Sequence, residues 1–408
     1  MERRKDNRGR VLKDGESQRK DGLYQYRWQT KTGKRKYIYD SSLEGLREKE
    51  ETVKRDLRDG IKVGESNITL NDVYEMWKKD KRGLKQTTRG NYFYMYEHFA
   101  KEEFGSMKIQ TIKKSDVRRF YNDLVDTGKM AINTVEGLHT VIHQVFSLAV
   151  EDDYIRKNPS DGVMGDCKRV HNFQTPKRHA LTVAEQNAFI SYIRNTPKYR
   201  HWMPLFTFFL GTGARVSEIV GLRWEDVHME GNYVEINHNT VYYQREKGKC
   251  YFSITTPKTE AGNRIIPLLP EVKEALLEER RHQTEIELSC KAVIDGYTDF
   301  IFLNRYGMVH NPQTINRTIK RISKDYNEWE LDKADKESRE PVLLPPFSCH
   351  NLRHTFATRY CENETNLKVI QEILGHKDIA TTMDIYAEAT KDAKVKSFAG
   401  LEGKITIS

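Results

Sequence analysis

Signatures of a disulfide framework, a membrane span or a nucleotide-binding loop are missing from this 408-residue sequence. Its five cysteines, Cys167, Cys250, Cys290, Cys349 and Cys361, are odd in number and scattered, which fits free thiols in a reducing cytoplasm. No uninterrupted apolar run approaches the ~18 residues a transmembrane helix needs, and mean hydropathy is −0.76. The opening Met-Glu-Arg-Arg-Lys-Asp-Asn-Arg-Gly-Arg is too polar for a secretory signal. No Gly-x-x-x-x-Gly-Lys-Ser/Thr run is present to cradle a nucleotide, so no ATP requirement is implied. These absences point to a cytoplasmic protein with no membrane partner.

Positive charge, by contrast, is in excess, with 68 Lys and Arg against 59 Asp and Glu for a net +9. The excess is local. Residues 1–39 hold 13 basic and 5 acidic residues, a net +8, whereas the other 369 hold 55 and 54. Such a concentration favours contact with a nucleic-acid backbone in that segment. Hydrophobic residues at 37% and aromatics at 10% suffice for packed cores, and at roughly 100–200 residues per domain the length suggests two or three domains.

Residues 1–20 are polar and without period, and read as a flexible arm. From Leu23 the period becomes two: Tyr24, Tyr26 and Trp28 alternate with Gln25, Arg27 and Gln29, and after a turn at Lys31-Thr32-Gly33, Arg35, Tyr37 and Tyr39 alternate with Lys34, Lys36 and Ile38. This predicts a hairpin with an aromatic face and a basic face. Leu43, Leu46, Val53 and Leu57 then follow at helical spacing up to Gly60, so one helix covers the aromatic face. Gln25, Arg27, Gln29, Lys34 and Lys36 are left as candidate DNA contacts in a domain spanning residues 1–64.

Residues 67–160 show four helical stripes and no strand signal. The first begins at a Thr69/Asp72 capping box and the third after Ser115 as N-cap. Their aromatics, Trp77, Tyr92, Tyr96, Phe99 and Phe120, are read as core. Residues 161–179, with Gly162, Gly165 and Pro176, have linker composition. The last domain, residues 178–408, mixes helices with strands at Tyr233–Ile236, Thr240–Gln244, Tyr251–Thr256 and Arg264–Pro267. The charged stretch Asn327–Glu340 reads as a loop insertion. The expected fold class is therefore multidomain and mainly α, with a small sheet plus helix first, a helical domain second and an α+β domain last.

Three local features in that last domain carry chemistry. In Gly211-Thr212-Gly213-Ala214-Arg215, paired glycines turn the chain so that Arg215 opens a helix, with Glu218 three residues on to buttress its guanidinium. In His350-Asn351-Leu352-Arg353, spacing of three puts His350 and Arg353 on one helical face after Ser348 as N-cap. In Leu374-Gly375-His376, Gly375 closes a helix and His376 follows, with Tyr386 ten residues beyond, flanking the same cleft. Taken singly each has a bland reading: a surface charge, a packing tyrosine. A zinc site at His350, His354, Cys349 and Cys361 is disfavoured because no Glu follows His350 and no Cys-x-x-Cys exists.

In order and spacing the three features resemble the tyrosine recombinases, or phage-type integrases, whose signature is an Arg in a Gly turn, a His-x-x-Arg pair, a Leu-Gly-His box and a Tyr some ten residues later. The segment Gly-Glu-Ser-Gln-Arg-Lys-Asp-Gly before Trp28 looks like integrases of conjugative transposons in particular. The resemblance implies an arm-type DNA-binding domain, a helical core-binding domain and a catalytic domain. It implies Arg215, Lys258, His350, Arg353, His376 and Tyr386 as catalytic residues, Lys258 lying in the Thr256-Pro257-Lys258-Thr259 turn between two strands. It also implies a 3′-phosphotyrosyl intermediate, a Holliday junction and a homo-tetramer on double-stranded DNA at core and arm-type sites. An excisionase or a host DNA-bending protein are the accessory partners it admits.

No metal or cofactor is expected. Two guanidinium forks and two imidazoles can neutralise a phosphate gaining charge, and because a phenol ionises near pH 10 they must also offset about 4 kcal/mol to make phenolate at neutral pH. Lys258 is the candidate acid for the departing 5′-oxygen. The tail's Val395, Phe398, Leu401 and Ile405 are spaced as an element that docks on a neighbouring protomer. Competing expectations are a non-catalytic DNA-binding regulator, which the intact residue set argues against, and a type IB topoisomerase, which the separate N-terminal module argues against.

Overall fold

The computed structural model describes residues 4–30, 33–61, 67–175, 179–246, 249–257 and 260–389. The chain divides into two compact units, Met1–Thr175 and Pro176–Ser408. Lys258 and the tail from residue 390 lie outside the described residues.

The first unit begins with a three-stranded antiparallel sheet in sequence order, β1 (Glu16–Gln18), β2 (Tyr24–Gln29) and β3 (Arg35–Asp40). The expected flexible arm is ordered from residue 4, because two buried acids fix it. Asp6 accepts hydrogen bonds from the Arg10 backbone and guanidinium (both 2.8 Å) and from the Tyr24 hydroxyl (2.9 Å). Glu16 accepts from the Lys13 backbone at 2.7 Å and from Arg47 at 2.9 Å. The helix α1 (Leu43–Arg58), capped by the Ser42 hydroxyl, packs Leu43, Leu46 and Val53 on Tyr24 and Tyr26.

The register overturns one expected face. Gln29 pairs with Arg35 and Arg27 with Tyr37, so the outward row is Gln25, Arg27, Gln29, Arg35, Tyr37 and Tyr39. Tyr37 and Tyr39 are 43% and 42% exposed. Lys36 pairs with Trp28 and Ile38 with Tyr26, on the helix-covered side. A one-residue difference in where the turn ends moves a whole strand's side chains to the other face. Lys36 is therefore no partner of the outward row, while Lys34 is exposed in the turn.

Five helices follow: α2 (Leu70–Asp80), α3 (Gln86–Phe99), α4 (Lys114–Asp126), α5 (Ile132–Glu151) and α6 (Val163–Val170). Thr69 and Asp72 form the expected capping box. The α4 helix starts earlier than expected: Lys113, not Ser115, is N-cap, its backbone N–H donating to Asp116. Trp77 and Tyr96 are buried as core, with Tyr74 stacked on Tyr96 at 3.8 Å. Half of the expected linker is helix α6, because Val163, Met164 and Cys167 at helical spacing complete this core.

In the second unit, α7 (Val183–Asn195), α8 (Pro197–Arg200), α9 (Met203–Thr212) and α10 (Val216–Gly221) precede two small sheets. One has the order β4 (Val227–His228), β5 (Tyr233–Ile236), β8 (Arg264–Pro267), and the other is the hairpin of β6 (Asn239–Glu246) and β7 (Lys249–Thr255). The helices α11 (Pro270–Glu285), α12 (Pro312–Glu337), α13 (Cys349–Asn363), α14 (Leu367–Leu374) and α15 (Ile379–Ala389) complete it. With Phe206, Phe208 and Phe209 all buried, α9 is apolar on every side and is the central helix, flanked by α11 and α13. The expected loop insertion at Asn327–Glu340 is mostly the end of α12. Tyr326, Glu330 and Ala334 recur every four residues as a buried stripe, and Glu330 is satisfied by Arg339 (3.0 Å) and the Val342 backbone (3.0 Å). Among the described residues no helix is long and apolar enough to cross a membrane.

Candidate active site

At the end of α9, Gly213 adopts a left-handed conformation (φ +61°), and a Cβ there would lie 2.2 Å from the Phe356 ring. Glycine thus lets α13 approach, and the chain restarts as α10 with Arg215 at its N-cap. As the spacing predicts, Glu218 buttresses that arginine: its carboxylate accepts from Arg215 Nη1 and from the Arg215 backbone N–H, both at 2.7 Å.

Arg353 comes from α13 and is only 5% exposed. No carboxylate meets it in a direct ion pair among the described residues. Its fork instead donates to the carbonyls of Gly213 (2.8 Å) and Leu374 (2.5 Å). Arg215 Nη2 donates to the Gly375 carbonyl at 2.9 Å. A third arginine, Arg264 at the start of β8, donates to the Ile373 carbonyl (2.7 Å) and to both oxygens of Glu218 (3.1 and 2.8 Å). The carbonyls of residues 373, 374 and 375 thus hold one guanidinium each. They are the free acceptors at the C-terminus of α14, where the helix dipole is negative.

Gly375 (φ +63°) closes α14 as expected and sets His376 beyond it. The His376 backbone N–H donates to Gln371 O at 3.1 Å, and its ring Nδ1 lies 3.0 Å from the Thr382 hydroxyl on α15. With that hydroxyl donating, the ring proton sits on Nε2. His350 lies exposed in the first turn of α13, one turn before Arg353. Tyr386 is half-buried on α15, its ring packed on the cluster of Ala357, Cys361, Ile370 and Leu374. Arg215, Arg353 and His376 are thus assembled around one loop, His350 is close enough to contribute to the field on His376, and Tyr386 sits on the helix packed against α13 and α14.

The electrostatics follow from burial and from three neighbouring arginines, two of which share one carboxylate. Burial, then Arg215 as a like charge, pulls Arg353 down to about 9. Glu218 would be raised by burial, but Arg264 and Arg215 hold it down to about 2. Burial, followed by Arg353, Arg215, Arg264 and His350, lowers His376 to about 3, so this ring is neutral. Arg264 is the residue that periodicity missed: it opens a strand, where alternation says nothing of a side chain reaching over the strand's end.

Among the described residues no cluster of three or more His, Cys, Asp or Glu side chains is arranged for a metal. Burial raises the Cys349 thiol to about 12 and Cys361 to about 11, which keeps both protonated. A cleft of about 1110 Å³ lies elsewhere in this unit, lined by Trp202, Phe302, His310 and Arg317 among others. Among the described residues, none of the expected catalytic side chains lines it.

The acid stability of this unit follows from the same burial. His376 at about 3 and His310, lowered by burial to about 4, refuse protons that the unfolded chain accepts near pH 6.5. Stability present above that value is lost as pH falls. Glu279, raised by burial to about 7, works in the opposite sense. The thermal midpoint is expected to drop between about pH 7 and pH 5, and to drop more steeply in Glu279→Gln. A flat midpoint in the unsubstituted protein would contradict this.

A cradle of three arginines on a mainly helical domain, with a tyrosine-bearing helix folded against it, is the arrangement of a tyrosine recombinase. Residues 179–393 match the model of the phage integrase family, residues 1–57 that of the DNA binding domain of tn916 integrase, and residues 69–125 that of the phage integrase N-terminal SAM-like domain. The chain belongs to the phage integrase family. It is 32% identical to the transposase from transposon Tn916 of Enterococcus faecalis, over 96% of this chain and 95% of that protein. It is 28% identical to a XerC-like tyrosine recombinase of Caldanaerobacter subterraneus over 89% and 90%. A structure of the Tn1549 transposon integrase in complex with a circular intermediate DNA aligns with TM-score 0.70 and 27% identity, over 82% of this chain and all of that one.

Proposed function

We propose that this recombinase integrates and excises a mobile element of the conjugative-transposon kind by strand exchange at specific DNA sites. The observation that carries the reading is the charge of the cradle: Arg215 and Arg264 share the Glu218 carboxylate, while Arg353 beside them is held by main-chain carbonyls alone. The excess suits a phosphodiester whose charge grows during attack. Tyr386, its phenolic proton given up to solvent, attacks the phosphorus as the phenolate, the bond to the 5′-oxygen breaks, and Lys258 supplies the proton that leaves with it. The products are a 3′-phosphotyrosyl link and a free 5′-hydroxyl, and attack by another 5′-hydroxyl reverses the step. Bond energy is conserved, so no ATP is consumed.

Arg215 and Arg353 bind the non-bridging oxygens, with His376 Nε2–H and His350 as further donors. Four protomers exchange two pairs of strands through a Holliday junction, residues 67–160 binding core sites, residues 178–408 carrying out catalysis there and residues 1–64 binding arm-type sites. The tail beyond residue 389 docks on a neighbouring protomer. Relatives named for transposons, and the Tn1549 integrase solved with transposon right end DNA, support the choice of substrate. The test is a nicked suicide duplex carrying the element's end. A covalent protein–DNA adduct whose linked peptide contains Tyr386 is expected, and absence of any adduct would refute catalysis.

On the N-terminal sheet the DNA face is the outward row, with Arg27 and Arg35 contacting phosphates or base edges. Substituting both by alanine is expected to reduce the slope of log affinity against log salt by about two for arm-type DNA, one for each lost contact. Lys36→Ala is expected to leave the slope unchanged. Equal effects would contradict the register-based assignment.

A further inference from the structure

Among the cations of the cradle, Arg264 has no place in the mechanism above, yet it is the most heavily engaged. It starts β8, six residues after Lys258 in the sequence, and only 5% of its side chain is exposed. Its Nε donates to Ile373 O at 2.7 Å, its Nη1 to Glu218 Oε1 at 3.1 Å and to Gly262 O at 3.3 Å, and its Nη2 to Glu218 Oε2 at 2.8 Å. Glu218 Oε1 is the same oxygen that Arg215 Nη1 binds at 2.7 Å. One carboxylate is therefore shared between two guanidinium groups.

We infer that Arg264 is a positioning residue that neutralises Glu218, so that Glu218 fixes the direction of Arg215 without cancelling the charge Arg215 presents to the scissile phosphate. Glu218 alone would make a closed one-to-one pair with Arg215, oriented but electrostatically spent. With Arg264 on its other side the carboxylate still supplies geometry, and the pair of arginines keeps one net positive charge. The same fork fastens three segments together: the short 3-10 turn Glu260–Gly262 through Gly262, the start of α10 through Glu218, and the end of α14 through Ile373. The close approach is enforced at Gly375, where a Cβ would lie 2.9 Å from Ala261 O and 3.0 Å from Arg264 Nη1. Arg264 reaches the reaction through Arg215 and touches no reacting atom itself.

This inference rests on the strand-exchange reading, and its test is read independently of the nucleophile's identity. The rate of covalent adduct formation on the suicide duplex is measured at saturating DNA for the unsubstituted protein, Arg264→Met, Arg264→Lys and the double variant Arg264→Met/Glu218→Gln, each with its DNA affinity and thermal midpoint. Arg264→Met is expected to slow adduct formation about 100-fold, the scale of a misplaced catalytic group, with DNA affinity held within about threefold. Arg264→Lys restores the charge without the fork, and the double variant removes the carboxylate that would otherwise cancel Arg215. Each is expected to recover about tenfold of the loss. An unchanged rate in Arg264→Met overturns the inference. So does a loss confined to DNA affinity, or one that vanishes when rates are normalised to the folded fraction. If the adduct persists in Tyr386→Phe, the nucleophile assignment fails while the comparison among Arg264 variants still stands.

Discussion

Tyr386→Phe is expected to lower covalent adduct formation by at least about 10⁴-fold, on the scale of removing the nucleophile from other covalent catalysts, while DNA affinity stays within about threefold. The substitution deletes one oxygen and keeps the ring, and the ring is what packs on Ala357, Ile370 and Leu374. The thermal midpoint should therefore move little. The measurement is adduct yield on a nicked suicide duplex beside a gel-shift titration on the same duplex. Adduct surviving in the variant would move the nucleophile elsewhere, and a matching loss of affinity would mean that Tyr386 contributes to holding DNA.

Arg353→Met is expected to separate catalysis from stability. Keeping a guanidinium buried with its titration near 9, where an ordinary arginine titrates near 12.5, costs roughly 5 kcal/mol. Methionine removes that cost and fills much of the space. Against this, the carbonyls of Gly213 and Leu374 lose their donor, at about 1–3 kcal/mol each. The two nearly offset, so the thermal midpoint should stay within a few degrees of the unsubstituted protein. Cleavage, which loses a preorganised donor to the phosphate, should fall about 1000-fold. A collapse of the midpoint alongside the rate would show that Arg353 is chiefly a structural tie.

Much of this architecture was legible because its signals are local. Thr69 with Asp72, Gly375 after Leu374, and Glu218 three residues past Arg215 are short-range devices, and each does in the fold what its spacing implies. The strand runs from Tyr233 to Pro267 were legible for the same reason. What failed depended on partners far along the chain. The ordered residues 4–18 are held by Tyr24 and Arg47, α6 exists because its apolar side completes a core built by α2 to α5, and the face of β3 was set by where a turn ended. Charged residues at 327–340 disguised a helix whose buried stripe is only one residue in four. At the site, Arg215, Arg353 and His376 come together around Gly375, but Arg264 could not be found, since its partners Glu218 and Ile373 lie 46 and 109 residues away.

The row of carbonyls at the end of α14 has a genetic meaning. Its acceptors at positions 373, 374 and 375 are main-chain atoms, and no ordinary codon change at Ile373 or Leu374 deletes a carbonyl. The donors are side chains, each removable by a single substitution. Inactivating alleles of this recombinase should accordingly gather on the arginine codons and at Gly375, where the backbone conformation itself is restricted, leaving Ile373 and Leu374 tolerant of apolar exchange. A map of such alleles would outline the cationic half of the cradle and stay silent about the half that holds it.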